Sequence, residues 1–195
     1  MKDAYSEPKL DEAAYNFTSE YSVTINCPIS EVFPILGHGD KMKEVVLLYD
    51  RCPEFKYLNT DSVPRPTWEP TPPANFAREA PSVPSDGVQP TISRQFFTLY
   101  EEVHILPGVV KRVEINGAQV WDVDAKIALY ESTTALGVTV WKFKKFEEFE
   151  EDGKRRTRVS ERILGKCSRW VRFIVQSETQ RGHRAQMDRY HVLFS

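Results

Sequence analysis

The sequence predicts an α+β domain in which a curved antiparallel sheet wraps a long C-terminal helix, with two short helices after the first strand. Three observations carry this. Strand-like runs cover 92–106, 109–115, 119–131, 138–149 and 155–165, separated by turn signals that include Asn116-Gly117 and Asp152-Gly153; both dipeptides tolerate positive φ and mark hairpins. The segment 168–194 (SRWVRFIVQSETQRGHRAQMDRYHVLF) is the only stretch long enough for a major helix. Ahead of the meander stand one strand and two short helical patterns. At 195 residues, 41% of them hydrophobic and 28% charged, the chain suits one ordinary domain with its own core.

Residues 1–16 read as a polar tail and 17–195 as a single domain. The run 17–27 (FTSEYSVTINC) alternates, with Tyr21, Val23 and Ile25 on one face. In 28–36 (PISEVFPIL), Ser30 is placed to cap a helix that Pro34 and Gly37 keep short. Asp40 is placed to cap a second helix, Lys41 to Tyr49, whose Met42, Val45, Val46 and Tyr49 share a face. A brief EFKYL (54–58) reads as strand two. Nine of the thirteen prolines then fall between Pro53 and Pro90, with no periodicity across 59–91. Trp68 and Phe76 give that stretch apolar anchors, which a spacer does not need, so an ordered flap is expected there. The meander and Gly182-interrupted helix complete the chain.

Element order now has a counterpart. The chain resembles the helix-grip superfamily (SRPBCC), the START-like group that includes polyketide cyclases, dehydratases, lipid-transfer proteins and the birch-pollen-allergen (Bet v 1) family. The resemblance covers about 21–60 and 92–194 and rests on VTINCPISEVFPIL (23–36), the strand pair around YESTTALGVTVWKF (130–143), and TRVSERI (157–163) leading into the helix. It implies a helix-grip fold with a pocket between sheet and helix. It further implies a cofactor-independent cyclase or dehydratase of secondary metabolism acting on an apolar polyketide- or terpenoid-like substrate, pericyclic cycloaddition included. The alternative it implies is a lipid, sterol or hormone carrier without turnover. No invariant catalytic motif defines the group, so the resemblance speaks to fold before reaction.

Periodicity nominates the pocket lining. On the helix, Phe173, Ser177, Gln180, Arg184, Met187, His191 and Phe194 fall on one stripe. A buried Arg184 there demands partners or a wet pocket. In the strands, Glu131 and Glu161 continue apolar parity, as strand-end groups or as pocket acids with raised pKa. His104 can exchange a proton near neutral pH, and Tyr100 can donate a hydrogen bond. Trp121, Trp141 and Phe143 are candidate apolar walls. His104, Glu161, Arg184 and His191 are therefore the candidate catalytic groups, and Tyr100, Trp121, Glu131, Trp141, Phe143, Phe173, Ser177, Gln180 and Met187 the candidate substrate contacts. Solvated faces and plain core packing are the competing readings for each.

Other chemistries lack a warrant. The net charge of −2 offers no basic excess for a phosphate backbone, which argues against nucleic acid. Nucleotide loops and nucleophile elbows are absent, and His38, His104, His183 and His191 form no zinc signature, so neither cofactor nor metal is expected. Cys27, Cys52 and Cys167 are too scattered for a disulfide framework. With no secretory pattern and no apolar span, a cytoplasmic protein without membrane insertion is expected. The expected partner is an apolar small molecule, with a homodimer left open. Enzyme and carrier both need a cavity larger than a few waters. A filled interior points instead to an interaction subunit whose proline-rich segment docks a partner.

Overall fold

The computed structural model describes residues 11–68, 74–84, 89–106 and 108–194, and the side chains of these except 104–106. Its strands are β1 (Phe17–Ile25), β2 (Glu54–Pro64), β3 (Thr91–Leu106), β4 (Val109–Asp122), β5 (Ile127–Thr134), β6 (Thr139–Glu151) and β7 (Lys154–Lys166). They form one antiparallel seven-stranded sheet in the order β1-β7-β6-β5-β4-β3-β2. The long-range pair runs from Phe17↔Gly165 to Ile25↔Thr157 and sets the first strand against the last. Helices α1 (Ile29–Leu36) and α2 (Met42–Val46) lie between β1 and β2, α3 (Phe76–Glu79) lies in the proline-rich stretch, and α4 (Arg172–Asp188) follows β7 and ends in a 3-10 turn, Tyr190–Phe194. This curved sheet closed by a C-terminal helix is the helix-grip arrangement.

Both faces of the sheet are covered, and that decides where the site lies. Toward α1, α2 and α4 point Ile25, Phe146 and Val159, which pack with Val32, Phe33, Leu36, Val45, Met187 and Tyr190. Away from them point Val63, Ile92, Ala118, Val120, Leu129, Trp141 and Leu164, which pack with Ala77, Trp68 and Phe76. Trp68 and α3, from the proline-rich stretch, thus lie on the outer face. β2 runs on to Pro64, and Asp122, 1% exposed, receives hydrogen bonds from Arg65 and from Trp68 Nε1 at 2.6 Å. Arg94, also buried, reaches Asp61 at 2.7 Å and the Ala80 carbonyl at 2.8 Å.

Several local expectations are corrected. Asn116-Gly117 is not a hairpin: β4 runs through it, and the turn comes at 123–126, where the Asp122 carboxylate accepts the N–H groups of Asp124 and Ala125 and Lys126 takes φ 55°. Gly117 is needed for space, since a Cβ there would stand 2.5 Å from the Glu131 carbonyl oxygen and 2.6 Å from the Phe97 ring. Asp152-Gly153 is a hairpin, with φ 52° and 70°. Ser30 does not cap α1. The N-cap is Pro28, and the Ile29 N–H donates to Glu148 Oε2 at 2.8 Å. Asp40 makes no cap bond either; a 3-10 turn, Gly39–Lys41, leads into α2, which stops at Val46. Pro107 lies outside the described residues.

The phase of α4 is also corrected. Its buried residues are His183 and Met187, continued by Tyr190. Phe173 is 87% exposed, and Ser177, Gln180, Arg184 and His191 also lie outside the buried set. The two stripes share Met187, and moving the phase by one residue exchanges Arg184 and His191 for His183 and Tyr190. Burying the Arg184 guanidinium would need a counter-charge; instead it lies over the Tyr21 ring at 5.6 Å on the surface.

Candidate functional site

The helix side of the sheet holds a charged array where a simple core would be apolar. Its centre is Glu161 in the middle of β7, whose side chain is fully buried. Lys144 Nζ lies 2.8 Å from Glu161 Oε1, and the Tyr190 hydroxyl donates to the same oxygen at 2.6 Å. Lys142 Nζ stands 3.6 Å from Oε2. His183 Nε2 lies 3.3 Å from Oε2 without the alignment of a hydrogen bond, while its Nδ1 is 2.9 Å from Ser19 Oγ. Lys144 also donates to the Leu36 carbonyl at 3.0 Å. Register explains the gathering: Lys144 is paired directly with Glu161 across β6 and β7, and Lys142 follows two residues away on the same face.

The electrostatics follow from that packing. Burial opposes ionisation of Glu161, but Lys144, Lys142 and His183 outweigh it and hold the carboxyl well below the usual carboxylate range. Burial lowers the Lys144 ammonium, with Glu161 acting against the shift. Burial raises the Tyr190 hydroxyl, and the neighbouring carboxylate adds to it. Glu161 is therefore a fixed negative charge rather than a titrating acid, which corrects the expectation of a raised carboxyl at this position. Lys144 is the group whose charged form burial weakens.

Beside this array lies a gap of about 20 Å³, bordered by Leu36, Met42, Val45, Val46, Gln119, Tyr130, Lys142, Lys144 and Gln186. That is space for about one water. The Gln186 side-chain amide bonds the Val45 carbonyl at 3.1 Å and ties α2 to α4 across it. A larger, open groove of about 240 Å³ runs between Leu48–Arg51 and the outer side of α4 at Arg181, Ala185 and Arg189. Near it, Glu101 is pushed up to about 7 by burial and by Glu178, against the pull of Arg51 and Lys142. Among the described residues, the space beside Lys142 and Lys144 is thus far smaller than the roomy apolar cavity expected from the sequence.

Of the nominated residues, the structure brings Glu161 and Met187 to this interior. Trp121 faces the same side, stacked on His38 with ring centroids 5.8 Å apart. Glu131, Trp141 and Phe143 are on the opposite face, beneath the proline-rich stretch. Burial there pushes Glu131 up to about 7, although amide N–H groups of α3 and its approach pull the other way. Trp141 and Phe143 stack at 5.7 Å, and Trp68 meets Phe143 at 6.2 Å. Tyr100 also faces outward and donates to Glu114 at 2.9 Å under Arg112. His191 Nδ1 sits 2.7 Å from the Asp188 carbonyl on the surface. The His104 side chain lies outside the described residues.

Sequence reasoning missed Lys142, Lys144, His183, Tyr190 and Ser19. A signal existed in β6, where Lys142 and Lys144 share parity with Phe146; in a sheet covered on both faces that is an inward set, not a solvated one. Among the described residues no helix is long and apolar enough to cross a membrane, and Cys27, Cys52 and Cys167 are free thiols.

No family model matches the sequence, and no curated protein does. Among solved structures, the chain is similar to the Zhui aromatase/cyclase from Streptomyces sp. R1128, over 90% of this chain and 91% of that one, with a TM-score of 0.54 at 11% identity. It is also similar to the protein TTHA0849 from Thermus thermophilus, over 91% and 99% of the two chains, with a TM-score of 0.50 at 11% identity. At such identity the likeness is one of fold, and the chain shares the helix-grip fold of these structures.

Proposed function

We propose that the chain is a cofactor-independent cyclase or dehydratase whose chemistry is carried by Lys144, with Glu161, Tyr190 and His183 fixing its position and charge. The observation that supports this reading is the buried Lys144–Glu161 pair, 2.8 Å apart beside a gap that Lys142 and Lys144 both border. A lysine brought down by burial is a competent acid–base group near neutral pH. With a poly-carbonyl substrate, the Lys144 ammonium would first give a proton to solvent, and the amine so formed would take a proton from the carbon next to a carbonyl. The Lys142 ammonium would stabilise the enolate oxygen. The enolate carbon then bonds to a second carbonyl carbon of the same chain, and the Lys144 ammonium returns its proton to the new alkoxide. Loss of water from that alcohol completes a dehydration. The expected roles of Arg184 and His191 have no place in this scheme, because both lie on the surface.

The reading requires α2 to swing away from α4, since the gap holds one water as it stands. Its test is a soluble 1,5-diketone, followed by enone absorbance. Wild-type protein should form the cyclic enone, and Lys144→Met should reduce the rate by about 100-fold or more. Equal rates in wild type, Lys144→Met and solution would overturn it. The small size of that gap favours a second reading, an interaction subunit with no small-molecule ligand; equilibrium dialysis showing no uptake of diketones or fatty acids, together with no turnover, would select it. Carriage of a sterol-sized lipid needs a cavity of roughly several hundred Å³ and is the least supported of the three.

A further inference from the structure

The most exposed aromatic side chains among the described residues sit together where β7 passes into α4. Trp170 is 95% exposed and Phe173 87%. They stand three residues apart, at the entry and first turn of the helix, with nothing of the described fold packed over them. The β5–β6 turn reaches the same end of the sheet, because Thr139 pairs with Lys166, and it presents Leu136 at 59% exposure. Three apolar tips from two separate connections thus project from one end.

Along this stretch of chain the charges have one sign. From 163 to 177 the chain carries three cations, Lys166, Arg169 and Arg172, and no carboxylate. All three are exposed. Cations interleaved with an exposed tryptophan and phenylalanine have the composition of a segment that lies in a lipid interface, rings at headgroup depth and basic groups on phosphates. A second copy of the chain would set these cations against themselves, since residues 163–177 hold no carboxylate to answer them. The tips are isolated points rather than a continuous flat surface, which suits a fluid surface that closes around each one.

We infer that this end of the molecule docks on an anionic lipid surface, with Trp170, Phe173 and Leu136 entering the headgroup layer and Lys166, Arg169 and Arg172 holding lipid phosphates. The docking is peripheral and rests on neither reading of the interior. The experiment is co-sedimentation of the full chain with phosphatidylcholine vesicles and with vesicles in which about a third of the lipid is phosphatidylserine. Binding should be on the order of 100-fold tighter on the anionic vesicles, from three basic groups near the surface, and should fall at high salt. Trp170→Ser with Phe173→Ser should weaken it at least about tenfold. Lys166→Gln with Arg169→Gln and Arg172→Gln should abolish the preference for anionic lipid. All five positions are on the surface, so unchanged circular dichroism and Tm are expected in both variants. No binding to anionic vesicles, or binding that the aromatic and basic variants leave intact, would overturn the inference. So would a dimer in sedimentation equilibrium that the Trp170→Ser, Phe173→Ser variant dissociates, since it would assign the patch to a second copy.

Discussion

Tyr190 donates a 2.6 Å hydrogen bond to Glu161, so the residue just past α4 is fastened to the middle of β7. Both side chains are buried. The bond fixes how far the helix end lies over the sheet, and it occupies the oxygen that also faces Lys144. The grip of sheet on helix is thus partly ionic at its centre, with Met187 and Val159 supplying the apolar contact around it.

Glu161→Gln should therefore be costly. It leaves the Lys144 ammonium buried without its counter-charge, a loss of about 3–5 kcal/mol. Replacing both, Glu161→Gln with Lys144→Met, should recover most of that, because the orphaned charge is gone. Urea unfolding at pH 7 measures both. The pH dependence has a definite sign: the folded-state pKa of Glu161 is depressed, so its contribution is present above the unfolded carboxylate pKa and is lost as pH falls through the folded one. Glu161→Gln should remove that share of the acid sensitivity.

Glu131 behaves in the opposite way. Its folded pKa is raised to about 7 by burial, so its contribution is present below the unfolded pKa and is lost as pH rises toward 7. The size is on the order of 3 kcal/mol. Glu131→Gln keeps an acceptor for the Arg78 N–H and should be more stable than wild type at pH 8, with little difference at pH 4. Glu101 is also raised to about 7, on the other face of the sheet. The Glu131→Gln variant should thus keep part of the decline in stability with pH, and adding Glu101→Gln should flatten it. Urea midpoints across pH 4 to 8 check this, and an undiminished slope in the double variant would refute it.

Much of the fold was legible because strand periodicity and element order are local signals, and the site was less so because which face a strand buries is not. Trp141 and Phe143 announce a strand, yet both faces of β6 are covered, and parity alone cannot say which side holds the helix. On α4 the difficulty was angular: Phe173 and Trp170 are large and apolar, which drew the inward stripe toward residues that the fold leaves in solvent. The charged array could not be read from β7 alone, since Glu161 meets Lys144 only through the register of β6 and His183 and Tyr190 only through the docking of α4.

Asn116-Gly117 illustrates how a strong turn signal is overruled. Gly117 lies under the Phe97 ring and beside the Glu131 carbonyl oxygen, so what the position requires is an absent side chain and not a positive φ. Gly117→Ala should lower stability by about 1–3 kcal/mol, the cost of overpacking, because the backbone oxygen has no rotamer to yield. Gly137→Ala is the control. Nothing lies within 4 Å of its Cβ position, but φ is 74°, so its cost should be about 1 kcal/mol and come from backbone strain. Thermal unfolding distinguishes them if each is repeated as Ser: the larger side chain should worsen the loss at 117 and leave it unchanged at 137.

Asp122 is the residue on which the proline-rich stretch turns. It is 1% exposed and accepts Arg65 Nε at 2.5 Å, Arg65 Nη2 at 2.9 Å and Trp68 Nε1 at 2.6 Å, while also closing the 123–126 turn. Burial opposes its ionisation, but the Ala125 amide, Trp68 and Arg65 together hold its carboxyl below the usual range. Asp122→Asn keeps the volume and removes the charge, and its amide nitrogen must then face either Arg65 Nε and Trp68 Nε1 or Arg65 Nη2 and the turn amides, donor against donor. The loss should be about 2 kcal/mol, reduced by the partial exposure of Arg65. Because the turn can still close on the remaining oxygen, the damage should be local: hydrogen exchange should speed up at the Arg65 and Arg78 amides, which bond the Pro90 and Asn75 carbonyls, while the global urea midpoint moves little more than that loss requires. Phe76→Ala, which loosens the same stretch through packing alone, should expose Arg78 without exposing Arg65. If the two variants gave one pattern of amide exchange, the stretch would open as a unit and Asp122 would not be its separate anchor.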